Sequence, residues 1–145
     1  MLPKLILLIG IPGSGKSSWL KEQDLTGFDI VCPDQIRQEE FGSISSQANN
    51  ISVWCIAKEK TVNNLNEGKS VILDATNVNT AYRKDFIMGL PSCKLQAKLF
   101  YSAPASCVKR VSKDLKAGRN RAAVPEEVIY RMFGELLYTA KVIES

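Results

Sequence analysis

Residues 10–17 read Gly-Ile-Pro-Gly-Ser-Gly-Lys-Ser: a glycine, four residues, then Gly-Lys-Ser. Each fixed position serves one task, the holding of an anion. Gly10, Gly13 and Gly15 let the backbone turn tightly and bring successive N–H groups toward a phosphate. Lys16 can reach the outer phosphates of a nucleoside triphosphate, and the Ser17 hydroxyl is a hard oxygen suited to Mg²⁺. Pro12, Ser14 and Ser18 belong to the same run and are read with it as ATP-binding positions. A Gly/Ser linker could match the pattern by chance, but a linker would not lie between an apolar strand and a helix. The chemistry indicated is phosphoryl transfer from ATP with Mg²⁺, in which Lys16 stabilises phosphate charge.

The acceptor side must rest on carboxylates, because the chain contains no histidine. Asp34 and Arg37 are three residues apart, which on a helix sets both on one face, toward the cleft. Asp34 could take the proton of an attacking hydroxyl while Arg37 holds an anionic group of the acceptor. Equally, Asp34 could cap the helix and Arg37 be solvated. Asp74 closes an apolar run at the place where the second acidic residue of phosphate-loop enzymes sits. It is the expected Mg²⁺ ligand beside Ser17, directly or through water. Thr76 and Asn77 could orient the acceptor; Asn77 and Asn79 could instead be turn and cap residues. Between residues 94 and 121, eight Lys and Arg residues face Asp114 alone. Of these, Lys109, Lys113 and Lys116 share a helical face that could follow a nucleic-acid backbone or simply be solvated. Arg119 and Arg121 lie in a polar segment between two helices, the kind that can close over a triphosphate.

These residues need a frame. Residues 5–9 are bulky and apolar, as for a strand buried on both faces. A helix is predicted over 15–23, a strand over 28–32 broken by Pro33-Asp34, and a helical turn or two over 35–41. A long helix is predicted over 46–67, with Ile51, Trp54, Cys55, Ala57, Val62 and Leu65 as its apolar positions and Gly68 ending it. Then come a strand over 70–73, a helix over 80–89, a strand over 95–101, a helix from Pro104 to about 117, and a last helix from Pro125 toward Val142. Alternating strands and helices predict an α/β fold of the phosphate-loop type. It is a three-layer sandwich with a central parallel sheet of about four strands, helices on both faces and a lid at about 116–124. Ligands of such sheets bind at the carboxyl ends of the strands, where all the candidate residues fall.

Length and composition fit one domain over residues 1–145, with 45% apolar residues and a formal charge of +4. Cys32, Cys55, Cys93 and Cys107 are scattered without a CxxC pair, which argues against zinc or a disulfide frame and for reduced thiols in a cytoplasmic protein. The apolar run at 5–9 is too short for a signal peptide or a membrane span.

Four islands carry a family resemblance: Gly10–Trp19, the Asp34/Arg37 pair, Asp74-Ala75-Thr76-Asn77 with Arg83, and Arg119 followed by Val124-Pro125 and Ile129-Tyr130-Arg131-Met132. In order and rough spacing the chain resembles the 5′-kinase domain of bacteriophage polynucleotide kinase and related end-healing enzymes. The resemblance implies ATP-dependent phosphorylation of the 5′-hydroxyl end of DNA or RNA. It implies Asp34 as general base, Arg37 on the acceptor phosphate, and Thr76, Asn77 and Arg83 on the acceptor side. It puts Lys16 and Ser17 on ATP and Mg²⁺, and Arg119 on the donor phosphates. The segment 114–118 is longer than in the phage enzyme, which leaves Arg119 and Arg121 as alternatives. The bifunctional relatives also carry a phosphatase domain, for which these residues leave no room. Two rivals share the phosphate loop: a kinase of a small metabolite, nucleoside or sugar nucleotide, and a nucleotide-binding regulatory module. The acceptor type, DNA against RNA, and oligomeric state stay open.

Overall fold

The computed structural model describes residues 2–42, 50–118 and 124–144, with side chains as far as residue 137. The elements in chain order are β1 (Lys4–Ile9), α1 (Lys16–Lys21), β2 (Phe28–Val31), α2 (Pro33–Phe41), α3 (Asn50–Asn66), β3 (Ser70–Leu73), α4 (Thr80–Ile87), β4 (Lys94–Leu99), α5 (Pro104–Lys116) and α6 (Glu126–Glu144). The four strands form one parallel sheet in the order β2-β3-β1-β4.

β1 is central because it is apolar on both sides. Leu5 pairs with Val71 on one flank and Leu95 on the other, and Leu5, Leu7, Leu8 and Ile9 are all buried. Alternation divides these side chains between two cores. Leu5, Leu7 and Ile9 join Val31, Val71 and Leu73 beneath α2–α6. Leu8 and Ile72 join Leu20 of α1 and Phe100 on the opposite face. Helices therefore cover both faces, as expected for the three-layer fold. β1 leads to α1 on one face and β3 to α4 on the other, so the chain reverses direction between these two strands. That reversal opens the crevice in which α/β sheets hold their ligands.

The strand before Pro33 ends as expected, but α2 starts two residues ahead of the expected 35: Pro33 is its first residue. Its fixed φ suits the first turn and its missing N–H would have had no helical partner, while Asp34 beside it meets the positive helix end. In α3 the buried stripe is Val53, Ala57, Thr61 and Leu65, whereas Ile51 is 82% exposed and Cys55 is also exposed. Thr61 tolerates burial because its hydroxyl donates to the Ala57 carbonyl at 2.9 Å. β4 is a sheet edge in the described residues, with Leu95 half exposed. Among the described residues no helix is long and apolar enough to cross a membrane.

Candidate active site

Backbone bonds beyond the strand ends knit the carboxyl edge of the sheet together. Gly10 N–H donates to Thr76 O at 3.0 Å, Phe100 N–H to Ile9 O at 2.8 Å, and Asp74 N–H to Val31 O at 2.9 Å. The phosphate loop after β1, the Asp74–Asn77 loop after β3 and the start of α2 after β2 are thereby held side by side.

Gly10 and Gly13 are forced by their neighbours. A Cβ on Gly10 would lie 2.6 Å from Ser14 Oγ and 2.9 Å from Phe100 Cβ, and one on Gly13 would lie 2.8 Å from Cys107 O. Gly13 and Gly15 also have φ of +80° and +102°. Behind the loop stands α5. Arg110 Nη1 donates to Gly13 O at 2.8 Å, and Ser102 Oγ, just ahead of the helix, donates to Ser14 O at 3.3 Å. Lys16 Nζ donates to Gly10 O at 2.8 Å and Ile11 O at 3.0 Å, so its ammonium lies against the loop's own backbone. Ser17 and Ser18 are exposed, Pro12 is half-buried, and the buried Ser14 Oγ has no partner among the described residues.

Asp74 is half-buried at the end of β3. Burial pushes its carboxyl above the usual range; Lys16 pulls it back, Asp34 raises it further and the Cys32 thiol lowers it. Asp74, Lys16 and Asp34 are thus electrical neighbours. A desolvated carboxylate beside a second one gains from a cation, and with the Ser17 hydroxyl it offers the hard oxygens that Mg²⁺ prefers. The residues fit that ion and a triphosphate as its other source of oxygens. Among the described residues no group of three or more His, Cys, Asp and Glu could hold a metal by itself.

Asp34 and Arg37 meet directly. Arg37 Nη1 donates to Asp34 Oδ1 at 2.6 Å and Nη2 to Asn50 Oδ1 at 2.5 Å. The shared face expected from their spacing resolves into two different environments. Arg37 is buried, 7% exposed, and its buried Nε has no partner among the described residues; the Asp34 side chain is 52% exposed. The guanidinium holds the carboxylate at the cleft edge from below. Asn50, which anchors the other side of Arg37, carries no sequence signal beyond starting a helix.

Asn77 and Arg83 are turned into the scaffold. Asn77 has φ +52° and its amide donates to Leu8 O at 2.7 Å, pinning this loop to β1. Arg83 donates to the Asn77 carbonyl and, at 3.1 Å, to Thr80 Oγ1, and desolvation pulls its pKa down. Thr76 supplies the carbonyl that Gly10 uses. Asn79 is the cap of α4, its side chain accepting from Tyr82 N–H at 3.0 Å. A cavity of about 510 Å³ opens beside this helix start, lined in part by Asn79, Thr80, Arg131 and Glu135. Arg119 and Arg121, with most of the expected lid, lie outside the described residues.

A family model described as an AAA domain matches residues 5–136. The chain belongs to that family. A chain in the structure of the Pnkp1/Rnl/Hen1 RNA repair complex superposes on this AAA-domain chain with a TM-score of 0.81 at 25% identity, covering 97% of this chain and 46% of that one. Transcription factor bHLH140 of Arabidopsis thaliana is 28% identical over 130 residues, 83% of this chain but 13% of its own length. The chain therefore spans less than half of either relative. A gluconokinase from Sinorhizobium meliloti 1021 shares the fold, with a TM-score of 0.58 at 18% identity over 93% of this chain and 75% of its own. The architecture is that of a phosphate-loop kinase.

Proposed function

We propose that the chain is an ATP-dependent polynucleotide 5′-hydroxyl kinase. The observation that carries the reading is the Asp34–Arg37 pair in α2, whose exposed carboxylate is an electrical neighbour of Asp74, as Lys16 is. In the proposed reaction the 5′-oxygen of the acceptor attacks the γ-phosphorus of ATP. A new O–P bond forms, the bond from that phosphorus to the β–γ bridging oxygen breaks, ADP leaves, and the hydroxyl proton passes to Asp34. Lys16 and the loop amides stabilise the phosphate charge. Ser17 and Asp74 would hold Mg²⁺, which would neutralise charge on the phosphate oxygens. Arg37 aims the base, and the family resemblance also assigns it the acceptor phosphate; Asn77 and Arg83 serve the acceptor side indirectly, by fixing the loop that carries Thr76. Arg119, with Arg121 as the alternative, is assigned to the donor phosphates on the family resemblance. The likeness to a chain of an RNA repair complex supports a nucleic-acid acceptor.

An acceptor screen tests this. The chain is incubated with γ-labelled ATP and Mg²⁺ and with a 5′-hydroxyl oligonucleotide, with nucleosides and sugars, or with no acceptor. Label transfer to the oligonucleotide is expected, and Lys16→Ala is expected to remove most of it. Transfer to a sugar or nucleoside alone would support the small-molecule kinase that the fold shared with the gluconokinase also allows.

A further inference from the structure

We infer that Cys32 is a positioning residue for Asp74, its thiol donating to the carboxylate and fixing the oxygens that face the metal. This rests on the proposed role of Asp74. β2 and β3 are parallel neighbours in the register Val31↔Leu73, and the Asp74 N–H donates to Val31 O at 2.9 Å. The ladder therefore runs one step past both strands, and Cys32 and Asp74 leave the sheet side by side. The register sets the Cys32 thiol beside the Asp74 carboxylate, whose pKa it lowers. Cys32 is also the N-cap residue of α2, its carbonyl accepting the Ile36 N–H at 3.0 Å. Cys32 thus joins the start of the helix bearing the proposed base to the carboxylate proposed to hold the metal.

Cysteine suits this place for a physical reason. Its S–H is an uncharged, weak donor. A neutral donor orients Asp74 without cancelling the negative charge that attracts a cation. Lys16, the other group drawing on Asp74, is expected to serve the phosphates as well and cannot hold the carboxylate by itself. Partners of a ligating carboxylate orient it and tune its affinity, and their loss typically weakens metal binding by roughly 10–100-fold.

The test compares Cys32→Val, which keeps the volume and loses the donor, with Cys32→Ser, which keeps a donor. Thermal melting first checks that each is folded. ADP affinity is then measured by calorimetry in EDTA and at increasing Mg²⁺, a readout independent of any acceptor. The EDTA affinities should match wild type. Half-saturation of the Mg²⁺-dependent gain should move up roughly tenfold in Cys32→Val, toward the lower end of that range, and stay within about threefold in Cys32→Ser. A Cys32→Val protein with a wild-type Mg²⁺ curve overturns the inference, and so does equal impairment of both variants, which would mark a packing effect. Asp74→Asn is the control. If it too keeps the wild-type curve, the metal role of Asp74 fails and the Cys32 inference with it. If Asp74→Asn is impaired while Cys32→Val is not, the Cys32 inference alone fails.

Discussion

Asp74 is held at the cleft under strain of charge, because burial and the nearby Asp34 both favour its protonated form. The consequence for stability has a definite sign. The folded chain binds this proton more readily than the unfolded chain, so stability falls as pH rises from the ordinary value of 3.8 through the raised one. Asp74→Asn in Mg²⁺-free buffer should therefore raise the melting temperature at neutral pH. The gain should vanish once the pH drops below the ordinary carboxylate range. A lower melting temperature at neutral pH would show instead that Lys16 and Cys32 more than offset the burial. The same substitution should raise the Mg²⁺ requirement, a local trade of stability for function. Asp34 has a different duty, and Asp34→Asn isolates it. The amide keeps the shape and an oxygen for Arg37 but cannot take a proton. A loss of about two to four orders of magnitude in kcat is expected, with the KM for ATP nearly unchanged. Normal turnover by Asp34→Asn, with Asp74→Asn inactive at any Mg²⁺ concentration, would exchange the two roles.

The phosphate loop and α5 behave as one element, and substitutions in the loop can show it. Gly13 and Gly15 both have positive φ, and an alanine in such a conformation costs about 1–2 kcal/mol. At Gly15 no atom lies within 4 Å of the added Cβ, whereas at Gly13 the Cys107 carbonyl stands 2.8 Å away. Gly13→Ala should accordingly lose more stability to denaturant than Gly15→Ala, and ADP affinity should fall with it as the loop is pushed off α5. Equal losses would mean that α5 yields freely. This contrast also marks what the sequence could tell. The loop was legible because each of its residues answers to the backbone of its own segment, and strand and helix alternation made the parallel sheet legible for the same local reason. The pair Asp34 and Arg37 was legible from spacing, but not that Arg37 is buried and anchored on Asn50, which depends on α3 crossing α2. Burial of Thr61 rather than Ile51 likewise depends on which face of α3 meets the sheet. Arg110 read as one more basic residue, and only the packing of α5 behind the loop turns its guanidinium toward Gly13. Asn77 stayed open between acceptor and turn because nothing in the sequence says that Leu8 O is within reach of its amide.

Across the whole molecule, the question is whether its positive charge forms a path. The basic segment does not make a single surface. Lys98 lies over the rings of Trp19 and Phe100 on the α1 face of the sheet, and Arg110 is engaged at the phosphate loop. Lys109, Lys113 and Lys116 are exposed on α5, which packs with the opposite core. If this α5 stripe carries the polynucleotide of the proposed reaction, acceptor binding should be electrostatic and should weaken with salt in proportion to the phosphates neutralised. For single strands the slope of log affinity against log salt is about −0.7 per contact. A 5′-hydroxyl oligonucleotide should then show a KM that climbs steeply with salt, while a nucleoside 3′-monophosphate, which offers one phosphate, should show a shallow rise. Lys113→Glu with Lys116→Glu should flatten the oligonucleotide slope and leave the mononucleotide one as it was, because neither residue lies at the transfer site. The melting temperature should barely move, since both side chains are solvated. An unchanged oligonucleotide slope in the double variant would make the stripe a merely solvated helix face. A slope equally shallow for both acceptors would favour a small-molecule acceptor for the whole protein.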